Sequence, residues 1–227
     1  MSKFKKIEID EIIVKHYNKI SIFEDVDKGL AHHNFDHVKN VALLVESLLL
    51  SLGYENNFIE EAKIAAILHD TGAIDGKANH AFRSYVFAKQ YFEENNIILI
   101  HKELVLDAIK THSDGFDSDN IMALTLILAD KLDIKYTRIA KEGYNVNGIR
   151  QMQYIRDIVV DISNNNLDIK FLCDDNIDMA ELEGFYFIAK VFKAIIAFSE
   201  MLNLKPRVFL NDTIWILFKE MLEESSK

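Results

Sequence analysis

Apolar residues return at helical spacing through the first two thirds of the chain. Between Asn34 and Ile139 they recur mostly every three to four positions, the pattern of helices that bury one face, and glycines fall between the periodic blocks. The spacing predicts five helices, over Asp36–Leu52, Asn57–His69, Ala78–Glu94, His101–His112 and Asp119–Tyr136, with an N-terminal helix near Ile9–Ile20. Asn57 followed by Glu60 has capping-box spacing. Gly53, Gly72 and Gly115 stand where a left-handed residue would end a helix.

The pattern changes after Gly148. Residues 155–162 and 167–172 alternate apolar and polar around the turn-rich Asn164-Asn165-Asn166, which predicts a β-hairpin. A long helix is expected over Met179–Leu202, then strand-like content at Val208-Phe209-Leu210 and Ile214–Leu217 beyond the only proline, Pro206. The fold class expected is mainly α: a helical bundle over residues 1–148 carrying an α+β extension over residues 149–227. The aromatic run Phe185-Tyr186-Phe187 and Trp215 is expected in the core or an interface, not as a base-stacking platform. From sequence, the extension either pairs two copies into a homodimer or caps the active site.

Composition narrows the partners. Apolar residues make up 49% of the 227 and charged ones 27%, which is enough apolar surface to build a core and marks a globular chain. No apolar run approaches the roughly 18 residues needed to cross a bilayer. The start, Met1 to Lys6, leads into charged sequence instead of a signal-peptide core, so no membrane partner and a cytoplasmic location are expected. The single cysteine, Cys173, has no internal partner and reads as a small buried hydrophobe. A net charge of −10 without a dense basic run argues against nucleic acid as a partner. A small phosphorylated substrate stays compatible, because bound divalent cations invert the potential of an acidic pocket.

The candidate chemistry lies where acids and histidines interrupt apolar runs. His69-Asp70 follows Ile64-Ala65-Ala66-Ile67-Leu68, and Asp130 follows Leu124-Thr125-Leu126-Ile127-Leu128-Ala129. A carboxylate in such company must be paired, hydrogen-bonded or bound to a metal. Imidazole and carboxylate ligands without thiolate suit Mn, Fe, Co, Ni or Zn. Asp114, Gly115, Asp117 and Asp119 imitate a calcium loop only superficially, since the glycine is misplaced and the closing Glu is missing.

In these residues the chain resembles the HD superfamily of metal-dependent phosphohydrolases, whose pattern is a histidine, an adjacent His-Asp pair and a distant aspartate on helices: here His37, His69-Asp70 and Asp130. His80 and His112 fall where two-metal members place extra histidines, and His33-Asn34-Phe35-Asp36-His37 is similar to the His-Asn-x-x-His element of cyclic-nucleotide phosphodiesterases. The resemblance implies an HD-domain helical bundle with one or two divalent ions (Fe, Mn, Mg, Zn, Co or Ni). Asp70 would bridge, with His37, His69 and Asp130 completing one site and His80 and His112 the other; His33 would be the general acid. It implies hydrolysis of a phosphoester or phosphoanhydride in a nucleotide or related small metabolite. Dinucleoside polyphosphates, nucleoside mono- or triphosphates and cyclic nucleotides are all candidates.

Two departures bear on this. Many members continue the pair as Ile-Gly-Lys, whereas Thr71-Gly72-Ala73 lacks the lysine, so Lys77, Arg83, Lys131 and Arg138 become the candidate phosphate contacts. His32 stands where the phosphodiesterase element usually has tyrosine, so cyclic-nucleotide specificity does not carry over. His16 and His101 lie outside the pattern and are expected at the surface. The competing readings are a non-catalytic metal- or nucleotide-binding regulatory module and an oxygenase on the same metal site.

Overall fold

A computed structural model of the chain describes residues 1–26 and 29–225. Its N-terminal part runs through α1 (Lys3–Glu8), α2 (Glu11–Val26), α3 (Phe35–Ser51), α4 (Asn56–Leu68), α5 (His80–Glu94), α6 (Lys102–Thr111) and α7 (Ile121–Leu132). Every residue of α7 from Met122 to Leu132 is buried, because its sequence is apolar on nearly all sides and must be surrounded. It packs against α3, α4 and α6, and its remaining face meets the C-terminal part. Asp130 and Lys131 are thereby carried to buried positions.

The C-terminal part is a four-stranded sheet with helices, in the order β1 (Ile155–Ser163), β2 (Asn166–Cys173), β3 (Lys205–Leu210), β4 (Thr213–Ile214). β1 and β2 form an antiparallel hairpin closed at Ser163↔Asn166. Its two turn residues, Asn164 and Asn165, have φ of 49° and 62°, a left-handed pair that asparagine tolerates and hairpin twist requires. β2 and β3 are parallel, so the chain crosses over through α8 (Met179–Glu183) and α9 (Tyr186–Met201). α10 (Ile216–Ser225) closes the described chain. Leu167, Ile169, Phe171 and Val208 of the sheet share one buried cluster with Ile188, Phe192 and Ile195 of α9 and with Leu124, Ile127 and Leu128 of α7. Each such side chain contributes about 1.5–3 kcal/mol of burial. The fold is mainly α with a C-terminal α+β extension. No described helix is long and apolar enough to cross a membrane.

Several expected boundaries move, each for a local reason. The helix expected near Ile9–Ile20 starts at Glu11, where the Asp10 carboxylate accepts the Ile12 N–H at 2.8 Å, and runs on to Val26, and a short unforeseen helix, α1, precedes it. The helix expected from Ala78 begins at His80, because Asn79 is left-handed at φ 55°. The one expected to reach Tyr136 ends at Leu132, where Asp133 leaves helical geometry. Met179–Leu202 is two helices, since Phe185 turns extended and buries its ring beside Gly148, leaving no room there for a Cβ. Of the expected strand-like run Ile214–Leu217 only Ile214 is strand, joined in β4 by Thr213 before it; Trp215 is buried, donating Nε1–H to Glu183 at 2.7 Å, and α10 starts after it.

The Asn57/Glu60 capping box does not form. Glu55 precedes α4 without a side-chain cap, and Glu60 accepts the Phe4 N–H instead. Gly53 is left-handed as expected, at φ 77°, but Gly72 and Gly115 are not. Gly72 is required by close approach: a Cβ there would lie 2.2 Å from the His80 carbonyl oxygen and 2.5 Å from the Ser84 nitrogen.

Candidate metal centre

Five helix ends and one helix interior bring the acids and histidines together. His37 occupies the first turn of α3, whose N-cap Asn34 accepts the His37 N–H at 3.0 Å. His69 caps the C-terminal end of α4 and Asp70 opens the following 3-10 turn; His80 begins α5, His112 caps the end of α6, and Asp130 projects from inside α7. Helix ends suit this task because their side chains are less hemmed in by the next turn.

The four histidines are all turned the same way. Nδ1 donates to a fixed acceptor in each: Asp133 Oδ2 at 2.7 Å for His37, and the carbonyls of Ala66, Lys77 and Ile109, each three residues back, at 2.7–2.8 Å for His69, His80 and His112. That fixes the tautomer and leaves every Nε2 with a lone pair aimed inward. Arg138 Nη1 crowds the same His37 nitrogen, but with Nε2 facing the cluster Nδ1 carries the proton, and the Asp133 carboxylate is its partner.

Asp70 divides the cluster into two halves. Its Oδ2 lies 3.4 Å from His37 Nε2 and 3.3 Å from His69 Nε2, while its Oδ1 lies 3.3 Å from His80 Nε2 and 3.4 Å from His112 Nε2. Asp130 Oδ1 joins the first half, 3.2 Å from His37 Nε2 and 3.8 Å from His69 Nε2. Ligand atoms held about 2.1 Å from one ion sit roughly 3.0–3.4 Å apart, so the Asp70 contacts to His37 and His69 and to His80 and His112 have the spacing of two coordination shells, with Asp130 at the edge of the first.

The polar groups present fit a cation and lack a partner without one. His37 Nε2, His69 Nε2 and Asp70 Oδ2 are buried with no hydrogen bond. His80 and His112 bring two Nε2 atoms within 2.9 Å of each other, and with both protons on Nδ1 those lone pairs repel unless positive charge lies beside them. Burial disfavours charge on Asp70, yet His69 and His33 hold its carboxyl well below the usual range. Asp130 is likewise depressed against burial, chiefly by Lys131, whose Nζ is 2.6 Å from Oδ2. The two anions in turn overcome burial at His69 and raise its imidazole to about 10, whereas burial takes His112 down to about 4. Such a site demands a cation or a proton at its centre.

His33 stands on the open side, its ring 6.1 Å from that of His37 and 6.4 Å from that of His80, so it faces both halves. Its Nδ1 is paired with Glu24 Oε1 and its backbone N–H donates to Glu24 Oε2 at 2.8 Å. Burial lowers the His33 imidazole well below its ordinary value and raises the Glu24 carboxyl to about 7. The preceding loop is pinned by His32 N–H to the Arg138 carbonyl at 2.8 Å.

A cavity of about 480 Å³ opens onto the cluster, exposing His33, Asp70, His80 and Asp130. Of the cationic candidates, Lys77, Lys131 and Arg138 line it; Arg83 does not. The Arg83 fork is spent on the carbonyls of Gly72, Ala78 and Gly76, which clamps the turn after the His-Asp pair, so Arg83 is a brace and not a phosphate contact. Lys110 and Lys190, not foreseen, also line the cavity, giving it five cationic residues in a chain of net charge −10. Asp133 and Glu24 were not foreseen either. Tyr186 and Phe187 reach the cavity wall, Tyr186 being 71% exposed, while Phe185 and Trp215 are core residues as expected.

His16 and His101 are not free surface groups. His16 Nε2 holds the Thr71 carbonyl at 2.6 Å beside the His-Asp pair, and His101 Nδ1 meets the buried Glu61 at 3.0 Å. Cys173 is half-buried, its thiol pushed up to about 11 by burial.

Comparison with known proteins agrees with this geometry. Residues 34–135 match the family model of the HD domain, a span that holds all six clustered acids and histidines and ends before Arg138 and the extension. No match was found among curated proteins. Residues 34–135 thus form an HD domain, and proteins of the HD-domain superfamily are in general metal-dependent hydrolases.

Proposed function

We propose that the chain hydrolyses a phosphoester or phosphoanhydride bond of a small phosphorylated metabolite, in the first instance a nucleotide, at a dinuclear centre of divalent cations. The observation that carries this reading is the split of the Asp70 carboxylate, one oxygen to His37 and His69 and the other to His80 and His112. When bound, a cation pair supplies a water nucleophile at neutral pH and neutralises charge on the phosphoryl group.

The chain's own residues supply the rest. His37, His69, Asp70 and Asp130 would hold one ion and Asp70, His80 and His112 the other. Lys77, Lys131 and Arg138 face the phosphate from the cavity wall. His33 delivers the proton to the leaving oxygen. Its imidazole is too depressed to hold that proton alone near neutrality; Glu24, with a carboxyl near 7, shares it across their hydrogen bond, so the acid is the pair. Residues 149–227 act as an extension of this domain on the substrate side of the cavity.

The test combines metal analysis with turnover. Protein stripped and reloaded with Mn, Fe, Zn, Co, Ni or Mg is assayed on nucleoside mono- and triphosphates, dinucleoside polyphosphates and cyclic nucleotides, with phosphate and nucleoside release followed separately. About two ions per chain are expected with at least one loading, together with turnover, and Asp70→Ala loses metal and activity together. Full metal occupancy in Asp70→Ala overturns the bridging role. A loaded protein inert on the whole panel overturns the hydrolase reading in favour of a regulatory module.

A further inference from the structure

The extension reaches the cavity in a way that core packing does not explain. Tyr186, the first residue of α9, is 71% exposed, although its neighbour Phe185 is buried and Phe187 is half-buried. Both Tyr186 and Phe187 line the cavity that holds Asp70 and Asp130. Lys131 Nζ sits 5.8 Å from the Phe187 ring centroid and 2.6 Å from Asp130 Oδ2. A single ammonium therefore separates the aromatic wall from the ligand carboxylate.

An apolar slot continues from the same place. Leu30, Ile134, Ile149, Met152 and Phe185 line it, and it shares His33, Lys77, Arg138, Tyr186 and Phe187 with the larger cavity. Its space of about 80 Å³ is too small for a whole ring, since a cavity near 150 Å³ is what encloses benzene. A ring can enter it only by an edge while its face stays against the aromatic wall. Lys77 and Arg138 line both spaces together with the two aromatic side chains, so a ring against the aromatics lies within reach of cations.

We propose that Tyr186 and Phe187 make the C-terminal extension the specificity element of the enzyme, seating a planar aromatic ring carried by the phosphorylated substrate while Lys131, Lys77 and Arg138 hold its phosphate. The reading rests on the phosphohydrolase assignment for what happens to the phosphate, but not for the binding. Both aromatics lie outside residues 34–135, so the HD domain supplies the reaction centre and the extension supplies the choice of substrate.

Binding to metal-loaded full-length protein separates the two ideas. Adenosine 5′-phosphate and ribose 5-phosphate carry the same phosphate and differ by the ring, and their affinities can be compared by titration calorimetry. The ring-bearing probe is expected to bind at least about tenfold tighter, the size of effect that stacking of one base supplies. Tyr186→Ala should remove most of that ratio, Tyr186→Phe should keep it, and Phe187→Leu should reduce it. Equal affinities for the two probes in the unmodified protein overturn the proposal, as does a ratio unaltered in both Tyr186→Ala and Phe187→Leu. Discrimination without turnover of any phosphoester leaves this inference standing and removes the hydrolase reading; turnover without discrimination does the reverse.

Discussion

Asp133 offers the sharpest test of how the centre is held, because it touches no ion and lies one residue beyond α7. Its Oδ2 accepts the His37 Nδ1 proton at 2.7 Å, with both side chains buried. Burial works against its charge, but the hydrogen bond from His37 keeps its carboxyl below the usual range, so it stays anionic through neutrality. Loss of such an outer partner typically weakens metal binding about 10- to 100-fold, equivalent to about 1.4–2.8 kcal/mol.

The structure says which end of that range applies. Arg138 Nη1 lies 3.7 Å from the Asp133 carboxylate and 3.8 Å from Asp130 Oδ1, so Asp133→Ala leaves a buried guanidinium beside His37 with one of its two neighbouring anions gone. Its charge then opposes the ion, and the loss should approach 100-fold. Asp133→Asn keeps an acceptor for Nδ1–H and loses only the charge, so about 10-fold is expected. The effect should fall on one ion, since His80 and His112 rest on backbone carbonyls that neither variant touches. Competition against a fluorescent chelator, resolved into two binding steps, measures this, with a thermal melt confirming that the variants fold. If both variants bind both ions within roughly threefold of the parent, Asp133 does not orient His37 and the outer-partner reasoning fails.

Two further predictions concern the acid and the packing. His33→Ala should keep both ions and lose about 10²–10⁴-fold in turnover on substrates with a poor leaving group, less on an activated ester; equal rates on both substrate types would eliminate it as the proton donor. Gly72→Ala should lower the melting temperature by about 2–12 °C, because its Cβ would meet the backbone of His80 and Ser84 and overpacking costs about 1–3 kcal/mol in a chain of this size; a shift under about 2 °C would show that this turn yields.

What the sequence discloses depends on whether a residue's neighbours along the chain resemble its neighbours in space. His69-Asp70 and Asp130 are legible because each ends or breaks an apolar run, and a charged group there needs a partner wherever the chain goes. Asp133 carried the same signal between Leu132 and Ile134, but its partner lies 96 residues away. Glu24 carried none: it sits beside Asp25 in a polar stretch, and only the fold lays it against His33. Helix ends shifted where tertiary contacts took over the backbone, as when Phe185 turned inward onto Gly148 and cut the expected long helix in two.

The aromatic run divides between the core and the surface, as its spacing requires. Phe185 precedes α9 in extended geometry, and Tyr186 and Phe187, consecutive on the helix, point about 100° apart, so the three do not all face one core. If two of them are anchored, the third must leave the interior. Phe185 takes the core and Phe187 the border; Tyr186 is left facing the cavity that opens on Asp70.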